Sequence, residues 1–491
     1  MTRKNAMSLG VSALMAICFA LVFYAFTTPL GPSIGSDNAI YMTMGTAIKN
    51  GYAPYTEIFD HKGPLLFVLQ AIPQIFSGGY STLAIFVQQV VFLFVCLRLL
   101  TVIARELNVC EIVVQLCYLA LIAKQVGGGN LTEEYTNVFT LIGLLVILRT
   151  FGAGLPDKEK GMALRAALLG AMASLCFLVR ANNALVLCAM TLVLALWMIL
   201  EKRFALLGSC AAGFTAGMAA AALPVVIWLA ANGALAESVY GSLIHNMMYA
   251  ETGGGSRLHA LLRTDYGHAA LLMAALSCAG ACTLMKRSRP LALAMVAGAC
   301  AAGLAAFVSH KFYQHYLILG APLAAMGLAL VLHMAKMHGQ KAMRLLSAGA
   351  LLVCAVWLGV IGMQTHEWRL SEREGWDEYA RQAQELYALV PEEDRDEFMA
   401  YRAEPKWYVA AKALPCMRFY FLQETLANAD PKVMDEIVAE FESDPPKWLV
   451  IYYNREFGPP YDARVAEIFE TKYEFIDSRG TYQLKKLKEA P

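Results

Sequence analysis

Asp37 is followed by Glu57, Asp60, His61 and Lys62 in one polar stretch that emerges from the first apolar segment of the chain. Three further groups stand at the edges of apolar segments: Glu133, Glu134 and Tyr135; Arg180 with Asn182 and Asn183; and His310, Lys311, Tyr313, His315 and Tyr316. A carboxylate beside a bilayer is costly to bury unless it is hydrated or paired, so clusters of this kind mark sites of function. Their side chains suit a reaction between a lipid-borne phosphate and a polar acceptor. A carboxylate within hydrogen-bond reach of an acceptor hydroxyl takes its proton as the oxygen attacks an anomeric carbon. Lysine, arginine and tyrosine stabilise the charge that develops on a departing phosphate. Because phosphate leaves as an anion, no general acid is required.

The elements that position these groups are membrane helices. Hydrophobic residues make up 58% of the 491 and charged residues 16%, a balance outside that of soluble domains. Apolar runs long enough to cross about 30 Å of hydrocarbon lie at 7–28, 82–104, 110–126, 133–150, 162–178, 181–200, 205–230, 266–285, 291–309, 312–334 and 343–363. This predicts about eleven crossings, the first an uncleaved helix rather than a signal peptide. Leu65 to Phe76, short and interrupted by Pro73, reads as an interfacial or re-entrant piece. With the N-terminus inside, Arg105, Arg149, Arg165, Lys202, Arg203, Lys286, Arg287, Lys336 and Arg344 fall in inner loops, and the outer loops are poorer in basic residues. The polar tail, 364–491, is then extracytoplasmic and reads as a small α/β domain, with Arg418 to Leu422 as one of its extended segments. The stretch from Leu235 to Tyr249 reads as an amphipathic surface helix. Eleven of the twelve cysteines lie in or beside apolar spans, which points to buried fillers. Formal charge +1 averages over compartments that never mix and says nothing of partners, but the basic, aromatic-interleaved patch that a nucleic-acid partner needs is not found, so none is expected.

The outward Asp37 after the first helix, the run Gly51-Tyr-Ala-Pro-Tyr-Thr-Glu-Ile-Phe-Asp-His-Lys-Gly-Pro64, Thr132-Glu133-Glu134-Tyr135, and Tyr313-Gln314-His315-Tyr316 with Pro322 together resemble the GT-C superfamily of integral-membrane glycosyltransferases. The likeness is to the bacterial branch related to protein O-mannosyltransferases and lipid A aminoarabinose transferases. It implies a transmembrane catalytic domain over 1–363, with the first extracytoplasmic loop, 29–81, carrying the site, and a separate extracytoplasmic domain over 364–491. It also implies inverting transfer of a sugar from a polyprenyl-phosphate donor to an extracytoplasmic glycan, lipid or protein, in a bacterial plasma membrane. Asp37 matches the family's base and Lys62, in a Lys-x-Pro setting, its donor-phosphate lysine. Asn38 stands where many relatives carry a second acid, so the base falls to Asp37 alone. Glu133 and Glu134 resemble the second acidic motif. Arg180, Lys311, Tyr313 and His315 fall in donor-phosphate positions, and Asp60, His61 and Tyr135 complete the pocket. No metal site is indicated and no cofactor is required, although Glu57, Asp60 and His61 would allow a divalent ion. The rival readings are a flippase for lipid-linked glycans, which calls for an internal repeat that the sequence lacks, and an O-antigen-type polymerase or ligase, which calls for a large loop between late spans. The tail, lacking any acid–lysine cluster like that of the first loop, is expected to act on acceptor use rather than bond making.

Overall fold

The computed structural model describes residues 3–156, 161–251, 254–453 and 462–489. Among them ten helices are long and apolar enough to cross a membrane: Asn5–Phe23, Thr82–Glu106, Thr132–Phe151, Met162–Val179, Ala181–Leu200, Phe204–Ala231, Asp265–Leu284, Arg289–Phe307, Gln314–His338 and the start of Gln340–Tyr387. The chain is a multi-pass membrane protein. The expected span at 110–126 is a 12-residue helix, Glu111–Ile122, followed by turns. Two compact units divide the chain. One holds Met1–Leu30, Phe86–Ile227 and Gly253–Trp368; the other holds Gly31–Ile85, Trp228–Thr252 and Arg369–Pro491.

In the first unit, small residues let backbones touch. A Cβ added at Gly213 or Gly217, four residues apart on one helix face, would collide with the carbonyls of Ala163 and Ala167 on Met162–Val179. Close approach of this kind replaces the hydrophobic drive that helices lack in lipid.

The second unit differs from the division expected at 363/364, because the first loop folds with the tail. Its helices Ser36–Lys49 and Pro64–Ser77 pack so closely that a Cβ at Gly45 would meet the Gln70 carbonyl at 2.6 Å. In the tail, Phe398–Tyr401 (β1), Trp448–Tyr452 (β2), Tyr473–Arg479 (β3) and Tyr482–Leu487 (β4) form a sheet of order β1-β2-β4-β3. The β1–β2 pair is parallel and the other two are antiparallel. Residues 418–422, expected to be extended, form no strand; Tyr420 and Phe421 are instead fully buried as irregular chain. Trp407 and Tyr408 are fully buried beside Phe398, whereas Tyr453 is exposed.

The second unit also constrains the crossings. The Phe59 amide donates to the Arg418 carbonyl at 3.0 Å, and the Tyr420 hydroxyl donates to the Ile40 carbonyl at 3.3 Å. The first loop and the tail therefore lie on one side of the membrane, which requires an even number of crossings between them. Nine long helices separate them, and the short apolar helix Glu111–Ile122 is the element available for a tenth passage. Turns continuing through 123–128 lengthen it toward the width of the hydrocarbon. Ten long apolar helices thus stand, among the described residues, against the expected count of about eleven.

Candidate functional site

In the second unit, Gly63 ends the polar run and Pro64 opens the next helix at its first turn, where a missing N–H costs nothing. Just before it, Asp60, His61 and Lys62 turn inward and are 0%, 6% and 7% exposed. The Lys62 ammonium lies 3.4 Å from Asp60 Oδ1 and 5.6 Å from the centroid of the Tyr41 ring. The His61 amide donates to the same Oδ1 at 2.8 Å, and Tyr55, fully buried, donates its hydroxyl to the Lys62 carbonyl at 2.7 Å. Asp60 Oδ2 has no protein partner. Burial pushes the Asp60 carboxyl above its ordinary range, and Asp37 adds to that rise while Lys62 opposes it. Asp37 sits half-buried in the first turn of Ser36–Lys49, where the helix dipole favours an anion. Asp37, Asp60 and Lys62 thus belong to one electrostatic group. Glu57 is turned to a different task, accepting the Ala53 amide at 2.5 Å.

Sequence reasoning missed the residues that hold this loop from behind. The stretch from Leu235 to Tyr249, expected as a surface helix, contains a π-helical turn, Tyr240–His245, whose Gly241 lies so close to the loop that a Cβ there would meet the Tyr55 ring at 2.9 Å. Such turns frequently accompany functional sites. His245 is fully buried, its ring 5.5 Å from Phe59 and 6.2 Å from His61, and burial pushes its pKa down. Tyr249 packs on His61 at 4.8 Å. Arg418 of the tail lies over Phe59 at 5.3 Å and pairs with Glu237 at 2.5 Å and Glu436 at 2.8 Å. A glycine and a histidine inside an otherwise amphipathic run were the available signal.

In the first unit, Glu133 and Glu134 open the helix Thr132–Phe151 and point to different partners. Glu133 Oε1 accepts from Arg180 Nη1 at 3.0 Å, and Arg180 Nη2 donates to the Tyr316 hydroxyl at 3.0 Å. Glu134 instead caps its own helix through the Leu131 amide at 3.3 Å and accepts from Gln89 at 3.3 Å. Tyr135 is fully buried and donates to Asn130 at 2.5 Å. Tyr313, 45% exposed, stacks on His315 at 5.7 Å, and the His315 ring meets Tyr316 edge-on at 4.7 Å. Lys311 is half-buried, its amide donating to Ser309 Oγ at 3.4 Å. Arg180, Glu133, Tyr316 and His315 are therefore brought together, whereas Glu134 and Tyr135 are turned to internal packing. Among the described residues no three His, Cys, Asp or Glu side chains are grouped to hold a metal ion.

No protein-family model matches the chain, and no characterised protein matches it by sequence. Solved structures do match by fold. The ArnT of Cupriavidus metallidurans bound to undecaprenyl phosphate superposes with a TM-score of 0.62 at 12% identity, over 96% of this chain and 97% of that one. Its apo form gives 0.63 at 13% identity over the same shares. The archaeal oligosaccharyltransferase AglB of Archaeoglobus fulgidus, in complex with an inhibitory peptide and a dolichol-phosphate, gives 0.54 at 13% identity, over 91% of this chain and 69% of that one. The chain shares its fold with these membrane proteins, many helical spans followed by a C-terminal domain, which is the fold class that the sequence resemblance implied.

Proposed function

We propose that this protein is a membrane glycosyltransferase that moves a sugar from a polyprenyl-phosphate donor to a hydroxyl or amine acceptor on the extracytoplasmic side of a bacterial plasma membrane. The observation that carries the reading is the grouping of half-buried Asp37 with buried Asp60 and Lys62 in a chain whose fold spans nearly all of a protein bound to undecaprenyl phosphate. In this reading Asp37 removes the acceptor proton as the acceptor atom bonds to the anomeric carbon. The bond from that carbon to the phosphate oxygen breaks, with inversion. Polyprenyl phosphate leaves carrying the electron pair, and the Lys62 ammonium meets its growing charge. Lys62 suits this role because its contact with Asp60, at 3.4 Å, is long for a charge-assisted hydrogen bond and leaves the ammonium able to turn to a phosphate. Asp60 holds the lysine in place, and His61 and Tyr55 hold Asp60 and the loop backbone. We place Arg180 as the partner that fixes Glu133 and Tyr316 in the other unit. No residue in this scheme requires a metal.

The test is direct. Purified protein is incubated with a panel of polyprenyl-phosphate sugars and scored for released polyprenyl phosphate. Release with one donor and not with its diphosphate analogue is expected. Turnover of diphosphate-linked oligosaccharides alone would favour a polymerase or ligase, and release from no donor by a folded preparation would sink the reading.

A further inference from the structure

Away from every group discussed above, a cavity of ≈ 820 Å³ opens among the ends of Thr82–Glu106, Thr132–Phe151, Asp265–Leu284 and Gln314–His338 in the first unit. Arg149, Lys286, Arg287 and His333 line it, with Glu106 as its one acid. Arg149 is neutralised by Glu106, at 2.5 Å. Lys286 and Arg287 make no ion pair or side-chain hydrogen bond among the described residues. They ride on a fixed turn: the Ser288 amide donates to the Leu284 carbonyl at 2.7 Å, and its hydroxyl donates to the Phe151 carbonyl at 2.6 Å. On the opposite wall, His333 and Lys336 bond the carbonyls of Leu107 and Asn108, at 2.6 and 3.0 Å, and pin the wall to the end of Thr82–Glu106. The floor, Leu148, Leu284 and Leu330, is aliphatic. Two cations with no acid partner among the described residues, above an aliphatic floor and in a space within the usual range of ligand sites, have the shape and charge of an amphiphile's complement.

We infer that this cavity binds the head and upper chain of an anionic glycerophospholipid. Its phosphate pairs with Lys286 and Arg287, and its acyl chain runs down onto Leu148 and Leu330. Basic pockets between transmembrane helices recognise acidic lipid heads in this way. The loops concerned are those expected to face the inner leaflet, where such lipids concentrate.

The full-length protein in detergent is titrated with phosphatidylglycerol or phosphatidylcholine, and bound lipid is read by native mass spectrometry. Phosphatidylglycerol should bind selectively. Lys286→Gln/Arg287→Gln should weaken it by a factor of ~30, about fivefold per cation. Lys341→Gln/Arg344→Gln, which removes two exposed cations outside the cavity, should leave binding unchanged, as should the charge-preserving swap Lys286→Arg/Arg287→Lys, which also controls for folding. Equal binding by the double Gln variant overturns the inference, as does an equal loss in the Lys341/Arg344 control. Displacement of the lipid by an equal concentration of glycerol phosphate overturns it too, because the cavity would then be a phosphate site rather than a lipid site.

Discussion

The chain buries two acid–cation pairs and builds them differently. Arg180 commits one arm of its guanidinium to Glu133 and the other to Tyr316, both at 3.0 Å. Lys62 holds one carboxylate oxygen at 3.4 Å, and in both pairs the second carboxylate oxygen, Asp60 Oδ2 or Glu133 Oε2, has no protein partner, so the difference lies in the cations. A planar fork with both arms engaged is a fixed strut; a compact ammonium on a flexible stem can change partners. The electrostatics point the same way, since Asp60 is held above its ordinary pKa even with Lys62 beside it. A buried acid raised above its ordinary range, with its cation no closer than 3.4 Å, marks a place where the folded protein has left charge to be settled by something else. The comparison separates a pair that holds structure from a pair that does chemistry, and variants can break it.

The largest effect is expected at Asp37. Asp37→Asn keeps size and hydrogen bonding but removes the base, and should lower turnover by a factor of ~10³ while donor binding persists. Near-normal release of polyprenyl phosphate by a well-expressed Asn variant would move the base to another carboxylate, with Glu133 ahead of the helix-capping Glu134.

Lys62 and Arg180 then divide the two pairs. Lys62→Ala should cut kcat/KM by roughly 10² with little change in Tm, and Lys62→Arg should restore only part of it, because a fork and a point charge meet phosphate differently. Arg180→Ala strands the buried Glu133 and should destabilise the protein by about 3 kcal/mol or more, read as a lower Tm before any kinetics are considered. If the two variants exchanged these signatures, the assignment of strut and working cation would be reversed.

Asp60→Asn should have a smaller effect on rate, about tenfold, by loosening the hold on Lys62. Its pH signature is more telling. A carboxyl whose folded-state pKa is raised contributes stability that is present in full below the ordinary value near 4. That contribution is lost as pH rises through the raised value. Wild type should therefore lose stability relative to Asp60→Asn as pH climbs above about 4, in thermal melts recorded across pH at constant salt. Parallel melting curves at every pH would mean that Asp60 is not held as the geometry implies.

Much of this was legible in the sequence. Spans show because about twenty apolar residues are a long, redundant signal, and the polar runs show because acids and lysines beside lipid demand a reason. What could not be read is which distant segments share a body. The tail's composition fitted an independent domain, and nothing local in Phe59 or Arg418 reveals that one donates its amide to the other's carbonyl. Nor does spacing distinguish Glu133 from Glu134: adjacent residues on a helix diverge by about 100°, and only the positions of Arg180 and Gln89 decide which acid has which partner. The short helix Glu111–Ile122 falls below a length criterion that the compactness of the second unit overrides.

The smallest predicted effect tests that tail-to-loop coupling. Tyr420 is fully buried, and its hydroxyl reaches the Ile40 carbonyl in the helix that begins beside Asp37. Tyr420→Phe removes one hydrogen bond without opening a cavity, and the Ile40 carbonyl keeps its place in the helical ladder, so the stability cost should be about 1 kcal/mol. If the tail supports the loop that carries Asp37, Asp60 and Lys62, this variant should also show a two- to threefold loss in kcat/KM for the donor (an estimate of roughly half that free energy reaching the site), with acceptor dependence unchanged. A change confined to the acceptor would return the tail to the role that its sequence suggested, a separate module for the second substrate, and would make the hydrogen bond to Ile40 a matter of folding alone.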